Sequence, residues 1–337
     1  MNNIYAAVDL GTNACRLLVA KLGGESSFYQ VIESFSYPVA LAQKMMPSYS
    51  VPLISGQAMQ RSVTALSMCA EKMKAHEVSH MRCVATQACR QAKNTWKMLD
   101  SVREACQLNV EVISPEEEAW LAISGCVDML DFQKEYVLLF DIGGGSTELI
   151  LCKLDAQHQT FHAVDYVSLP YGVVSLKHHC AEGKETFHIK RIRRILNAFV
   201  QKNDIAAHVR RRSLQFLGAS GTVTTLAAII DNLVYYDRHM VHGRVLRRKD
   251  VLRVVNSLVD LSYEDMLTVP CIGKRRAYFM IPGIKIFTEI FRFIPASHVC
   301  VADRGVREGV LFHLMGIEAL RLATCAFGRQ LEYAKVS

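Results

Sequence analysis

An acidic, glycine-bearing motif stands twice in this chain, as Val8-Asp9-Leu10-Gly11-Thr12-Asn13 and again as Phe140-Asp141-Ile142-Gly143-Gly144-Gly145-Ser146-Thr147. Each copy closes an apolar run (Ile4 to Val8; Tyr136 to Phe140) and opens a second one (Leu17 to Ala20; Leu149 to Cys152), so each reads as a strand, a tight tip and a returning strand. Glycine lets the backbone turn with its N–H groups pointing inward, which makes a concavity for phosphate oxygens. The acid beside it suits the divalent cation that those oxygens require. One such tip is an ordinary turn; two in the same setting predict a duplicated α/β domain, with the copies facing each other across a cleft.

Length and composition fit two domains. The chain has 337 residues, enough for about two cores. Half of it is hydrophobic and 21% is charged, which excludes extensive disorder. Its eleven cysteines are scattered without a C-x-x-C pair, which predicts reduced thiols in a cytoplasmic protein rather than a disulfide framework or zinc site. No apolar stretch reaches the roughly 18 residues of a membrane span, so no membrane partner is expected. The net charge of +7 favours polyanions. Much of it gathers at Lys190-Arg191-Ile192-Arg193-Arg194 and Arg210-Arg211-Arg212. On a helix from about 188 to 202, Ile192, Leu196 and Phe199 form one stripe and Lys190, Arg191 and Arg194 point away from it.

Further elements frame the loops. Residues 55–76 predict an amphipathic helix, 81–85 a strand, and Thr86 to Asn94 a strand-to-helix turn presenting Arg90. Ser114-Pro115-Glu116-Glu117-Glu118 opens a helix, with Ser at the cap, Pro in the first turn and acids at the positive dipole end. Ser220-Gly221-Thr222 follows a strand and starts a helix, so its free N–H groups form an anion site. Asp303-Arg304-Gly305 does likewise before a helix at 306–315.

Phosphoryl transfer requires a cation, donors for the phosphate oxygens and a group that orients or deprotonates the nucleophile. Asp9, Asp141 and Glu148 are the candidate ligands for Mg²⁺ or Mn²⁺. The donors are Gly11, Thr12, Asn13, Arg16, Arg90, Gly143, Gly144, Gly145, Ser146, Thr147, Ser220, Gly221 and Thr222, and Glu117 is the candidate base. The histidines, His178, His179 and His242 among them, lack ligand spacing and are read as structural. No G-x-S-x-G elbow or G-x-x-x-x-G-K-[ST] loop is present.

Seven ordered motifs carry a resemblance over residues 4–316. They are Asp9 to Asn13; Val84-Ala85-Thr86 through Arg90; Ile113 to Ala119; Asp141 to Glu148; Ser168-Leu169-Pro170-Tyr171-Gly172; Ala219 to Thr222; and Asp303 to Gly309. The chain resembles the exopolyphosphatase/guanosine pentaphosphate phosphohydrolase family of the actin-like ATPase superfamily. That resemblance implies two ribonuclease-H-like domains, Mg²⁺, and hydrolysis of a terminal phosphoryl group from polyphosphate or guanosine pentaphosphate. It implies the catalytic Glu at Glu117, the middle of three, and the metal-associated acids at Asp9, Asp141 and Glu148. Boundaries are expected at 1–123 and 124–316, with a helical tail at 317–337. No nucleic-acid partner is expected, and a homodimer is compatible with the reading. Polyphosphate is the leading substrate because the basic helix suits a long polyanion. Guanosine pentaphosphate as main substrate, a small-molecule kinase and a non-hydrolytic sensor are the alternatives.

Overall fold

The computed structural model describes residues 3–23, 28–44 and 52–316, and it divides into two compact units. Unit 1 contains β1 (Ile4–Leu10), β2 (Ala14–Leu22), β3 (Tyr29–Pro38), α1 (Gly56–Ala75), β4 (His80–Ala85), α2 (Gln87–Gln91), α3 (Thr95–Cys106), β5 (Val110–Val112) and α4 (Pro115–Ser124). Its sheet has the order β3-β2-β1-β4-β5, with β1–β2–β3 antiparallel and β1–β4–β5 parallel. Alternate residues of the central strands, among them Val8, Leu10, Leu17 and Cys83, bury one face against Leu66, Cys69 and Met73 of α1. On α1 the fully buried positions are Ala58, Ser62, Ala65, Leu66, Cys69 and Met73, the stripe expected of a half-buried helix.

Unit 2 runs from Met129 to Gly305. It contains β6 (Tyr136–Ile142), β7 (Thr147–Asp155), β8 (Thr160–Leu169), α5 (Val173–Ala181), α6 (Glu185–Lys202), α7 (Ile205–Arg210), β9 (Leu214–Ala219) and α8 (Gly221–Ile230). Then follow α9 (Arg238–Val241), β10 (Val245–Arg247), α10 (Arg248–Leu258), α11 (Tyr263–Thr268), α12 (Lys274–Phe293) and β11 (His298–Ala302). Its sheet order, β10-β11-β9-β6-β7-β8, contains the unit 1 pattern with one extra edge strand. β6–β7–β8 form the antiparallel side and β6–β9–β11 the parallel side. The duplication expected from the two loops is therefore a duplication of whole sheets: β1 and β6 are equivalent central strands, and each carries its loop at its C-terminal end.

The last described helix, α13 (Val306–Met315), corrects the expected boundaries. Assigned from sequence to the second domain, it belongs to unit 1, where it packs on α4, β1 and β2. Gly309 explains the fit: a Cβ there would lie 2.7 Å from the Leu121 carbonyl carbon and closer still to its oxygen. Gly309→Ala is expected to destabilise the protein by about 1–3 kcal/mol through overpacking; an unchanged thermal midpoint would refute this docking. α4, opened by Ser114 and Pro115 as expected, runs to Ser124. The tail at 317–337 lies outside the described residues. None of the ten described cysteines forms a disulfide, and no described helix is long and apolar enough to cross a membrane.

Candidate active site

Unit 1 holds the first loop. Asp9, the penultimate residue of β1, is paired across the hairpin with Arg16, whose Nη1 lies 3.9 Å from its carboxylate. Burial raises the Asp9 pKa, opposed by Arg16 and Arg307 and reinforced by Glu308. The tip is closed by Gly11 N–H donating to the Ala14 carbonyl at 2.9 Å. The carbonyls of Thr12 and Asn13 accept from Leu41, Val39 and Ala40 at 2.8 to 3.2 Å. Their negative ends thus turn to a neighbouring segment, which is what a phosphate-accepting tip needs.

The three glutamates at the start of α4 separate. Ser114 caps the helix, its hydroxyl accepting from Glu117 N at 3.0 Å. The Glu117 carboxylate then takes an N–H from Arg82 at 2.5 Å, and Arg82 also holds Glu111 at 2.8 Å. Glu118 pairs with Arg90 at 2.7 Å. Arg90 in turn donates to the Ile113 carbonyl at 2.8 Å and to the Gln87 side chain at 2.9 Å. Arg82 lies mid-strand, opposite Ala7. Arg90 stands on α2, just past Thr86, whose N–H donates to the Leu10 carbonyl at the loop end of β1. At about 3.3 Å per residue, three residues of β4 set Glu117's partner roughly 10 Å back from the sheet end. Glu118 is the acid tied to the loop end. Arg90, expected on phosphate, is engaged with that carboxylate and the Ile113 carbonyl.

Unit 2 holds the second loop. Gly143 N–H closes it onto the Ser146 carbonyl at 3.0 Å. Behind it, the first turn of α5 collects the loop carbonyls: Val173 N–H donates to Gly143 O at 3.0 Å, Val174 N–H to Gly144 O at 2.8 Å, and the Ser175 hydroxyl to Gly145 O at 3.1 Å. Thr147 Oγ1 donates to the Tyr171 carbonyl at 2.7 Å. With its carbonyls so anchored, the loop keeps the N–H groups of Gly144, Gly145 and Ser146 without an acceptor among the described residues, the arrangement of an anion cradle.

Asp141 and Glu148 face each other across the β6–β7 register. Glu148 is 3% exposed and accepts from the Ser168 hydroxyl at 2.9 Å. A Cβ on Gly305 would stand 3.6 Å from Asp141 Oδ2, so the Asp303–Gly305 turn borders this acid. Arg238 braces that turn through Asp303 at 3.3 Å, and His242 Nδ1 accepts from Asp303 N–H at 3.2 Å; this is the structural role read for His242. At α8, Ser220 Oγ caps Val223 N–H at 3.1 Å, Gly221 has open space around it, and Thr222 is buried.

Among the described residues no three His, Cys, Asp or Glu side chains converge as a metal cage. The expected three-acid set resolves into Asp9 in unit 1, within a network of arginines, and the adjacent pair Asp141 and Glu148 in unit 2. Two carboxylates suit Mg²⁺, which keeps several waters and takes its remaining ligands from phosphate oxygens. Lys190, Arg191 and Arg194 are exposed on α6, opposite buried Ile192, Leu196 and Phe199, while Arg193 is committed to Glu289 at 2.7 Å. Sequence reasoning missed the supporting residues Arg82, Tyr171, Gly172 and Ser175. The Pro170-Tyr171-Gly172 motif was visible, but its spatial role was not.

A family model described as the Ppx/GppA phosphatase family matches residues 18–318. "Exopolyphosphatase 2" of Mycobacterium tuberculosis is 26% identical over 326 residues, covering 92% of this chain and 98% of its own length. The crystal structure of the Aquifex aeolicus Ppx/GppA family member superposes with a TM-score of 0.73 at 26% identity, covering 93% and 97% of the two chains. An exopolyphosphatase structure from Cytophaga hutchinsonii, 20% identical with a TM-score of 0.73 over 94% and 99%, shares the fold.

Proposed function

Since this chain belongs to the Ppx/GppA phosphatase family, we propose that it is a cytoplasmic exopolyphosphatase that releases terminal orthophosphate from inorganic polyphosphate, with guanosine pentaphosphate as a secondary substrate. The observation that carries this reading is the Gly143–Ser146 loop, whose carbonyls are bound while the N–H groups of Gly144, Gly145 and Ser146 remain for phosphate oxygens. Asp141 and Glu148 beside it are the residues that would hold Mg²⁺, which when bound neutralises those oxygens. In unit 1, Glu118, ion-paired with Arg90, is the residue we assign as the base for the attacking water. Water oxygen bonds to the terminal phosphorus, the bridging P–O bond breaks, and a chain shorter by one phosphate leaves. A phosphate-release assay with long and short polyphosphate, guanosine pentaphosphate and ATP in parallel tests the assignment. Release from guanosine pentaphosphate alone, transfer from ATP to an acceptor, or binding without release would each replace it by one of the alternatives.

Asp141→Asn is expected to lose activity in a way that high Mg²⁺ partly restores. An unchanged Mg²⁺ dependence would remove Asp141 from the cation site. The exposed lysines and arginines of α6 suit the remote charges of a long chain, whose binding displaces counterions and weakens with salt. Polyphosphate affinity should therefore fall more steeply with salt than that for guanosine pentaphosphate. Lys190→Ala with Arg194→Ala should flatten the slope, and an identical slope would return this face to plain solvation.

A further inference from the structure

Behind the glycine loop of unit 2 lies a pair of histidines that the chemistry above does not use. His179, near the end of α5, and His188, in the first turns of α6, stack with ring centroids 3.7 Å apart and planes inclined by 15°. His188 Nδ1 is 3.0 Å from the hydroxyl of Tyr171, and the Tyr171 ring meets both imidazoles edge-on. Tyr171 is 2% exposed, and its carbonyl holds Thr147 of the loop. The next residue, Gly172, lies so close that a Cβ would stand 2.5 Å from the Gly143 and Gly144 oxygens. The imidazole pair, Tyr171 and the phosphate loop are therefore one contiguous stack.

We propose that His179 and His188 are positioning residues for the Gly143–Ser146 loop, keeping it in its phosphate-binding form only while both imidazoles are neutral, so that phosphate affinity falls as the pair takes up a proton. The proposal rests on the reading of that loop as a phosphate site. In the tautomer protonated at Nε2, neutral His188 offers Nδ1 as acceptor to the Tyr171 hydroxyl, and protonation converts Nδ1 to a donor. Arg191 already addresses that same hydroxyl, so its oxygen would face two cationic donors. The other charged neighbours of the pair are His178, Lys184 and Glu182, whose carboxylate lies 3.8 Å from His179 Nδ1. Burial, the largest cause, lowers both histidine pKa values from the usual 6.5, against the pull of Glu182. A base whose folded pKa is depressed stabilises the native arrangement above its ordinary value and loses that contribution as pH falls below about 6.5.

The test is calorimetric binding of inorganic tripolyphosphate from pH 8 to 5.5, comparing wild type with His179→Phe/His188→Asn. Phe keeps the stack and Asn keeps an acceptor at the Nδ1 position, and neither titrates. Because tripolyphosphate ionises identically in both experiments, the ratio of affinities isolates the protein. Wild type is expected to weaken about threefold or more beyond the double variant as pH falls from about 7.5 to 5.5, through the part of the window that lies below the ordinary histidine value. A constant ratio overturns the proposal, whereas no binding by wild type at any pH overturns the phosphate-loop reading beneath it. Should the variant fail to fold, NMR titration of the wild-type histidines decides: saturating tripolyphosphate must lower the midpoints of His179 and His188 by linkage, and unmoved midpoints refute the coupling.

Discussion

Glu118→Gln is expected to lower polyphosphate hydrolysis by about 10²- to 10⁴-fold, the range for loss of a general base, with little change in KM. Gln preserves shape and an oxygen for Arg90 but cannot accept the proton of the attacking water. Glu117→Gln is expected to cost far less in rate, because Glu117 shares Arg82 with Glu111, mid-strand, and its loss disturbs a supporting ion pair. Steady-state kinetics of both variants decides between neighbours that the sequence could not separate. An inactive Glu117→Gln beside an active Glu118→Gln would return the base to the middle residue.

Gly172→Ala should strike the phosphate cradle itself. The backbone φ there is −121°, open to any residue, so the cost is wholly one of space. A Cβ would enter between the Gly143 and Gly144 carbonyl oxygens at 2.5 Å, and neither can retreat without breaking its bond to Val173 or Val174. The expected result is a loss of about 1–3 kcal/mol of stability, accompanied by roughly tenfold or greater weakening of tripolyphosphate binding. Gly221→Ala is the steric comparison, since nothing lies within 4 Å of a Cβ there, and no such packing loss should appear in its thermal midpoint. Equal destabilisation of both variants would show that close approach at Gly172 is not what shapes the loop.

Much of this protein is local information. The two Asp-Gly tips, their flanking apolar runs, the Ser114 cap with Pro115 and acids, the α6 stripe and the 306–315 helix follow from hydrophobic period and turn chemistry acting over a few residues, and each lies where the sequence puts it. The carboxylate pair Asp141–Glu148 was legible too, because a tight hairpin fixes its own register. What the sequence left open depends on contacts between distant segments. Glu117 and Glu118 are chemically identical and adjacent; only the placement of Arg82 and Arg90 on different elements sends one mid-strand and the other to the loop end. α13 follows unit 2 in the chain, yet the gap over Leu121 that accepts Gly309 draws it into unit 1. Tyr171 and Gly172 gain their meaning from a loop almost thirty positions earlier. Short-range rules set the elements, while long-range packing, with its demand that every buried carbonyl and charge find a partner, decided which side chains meet.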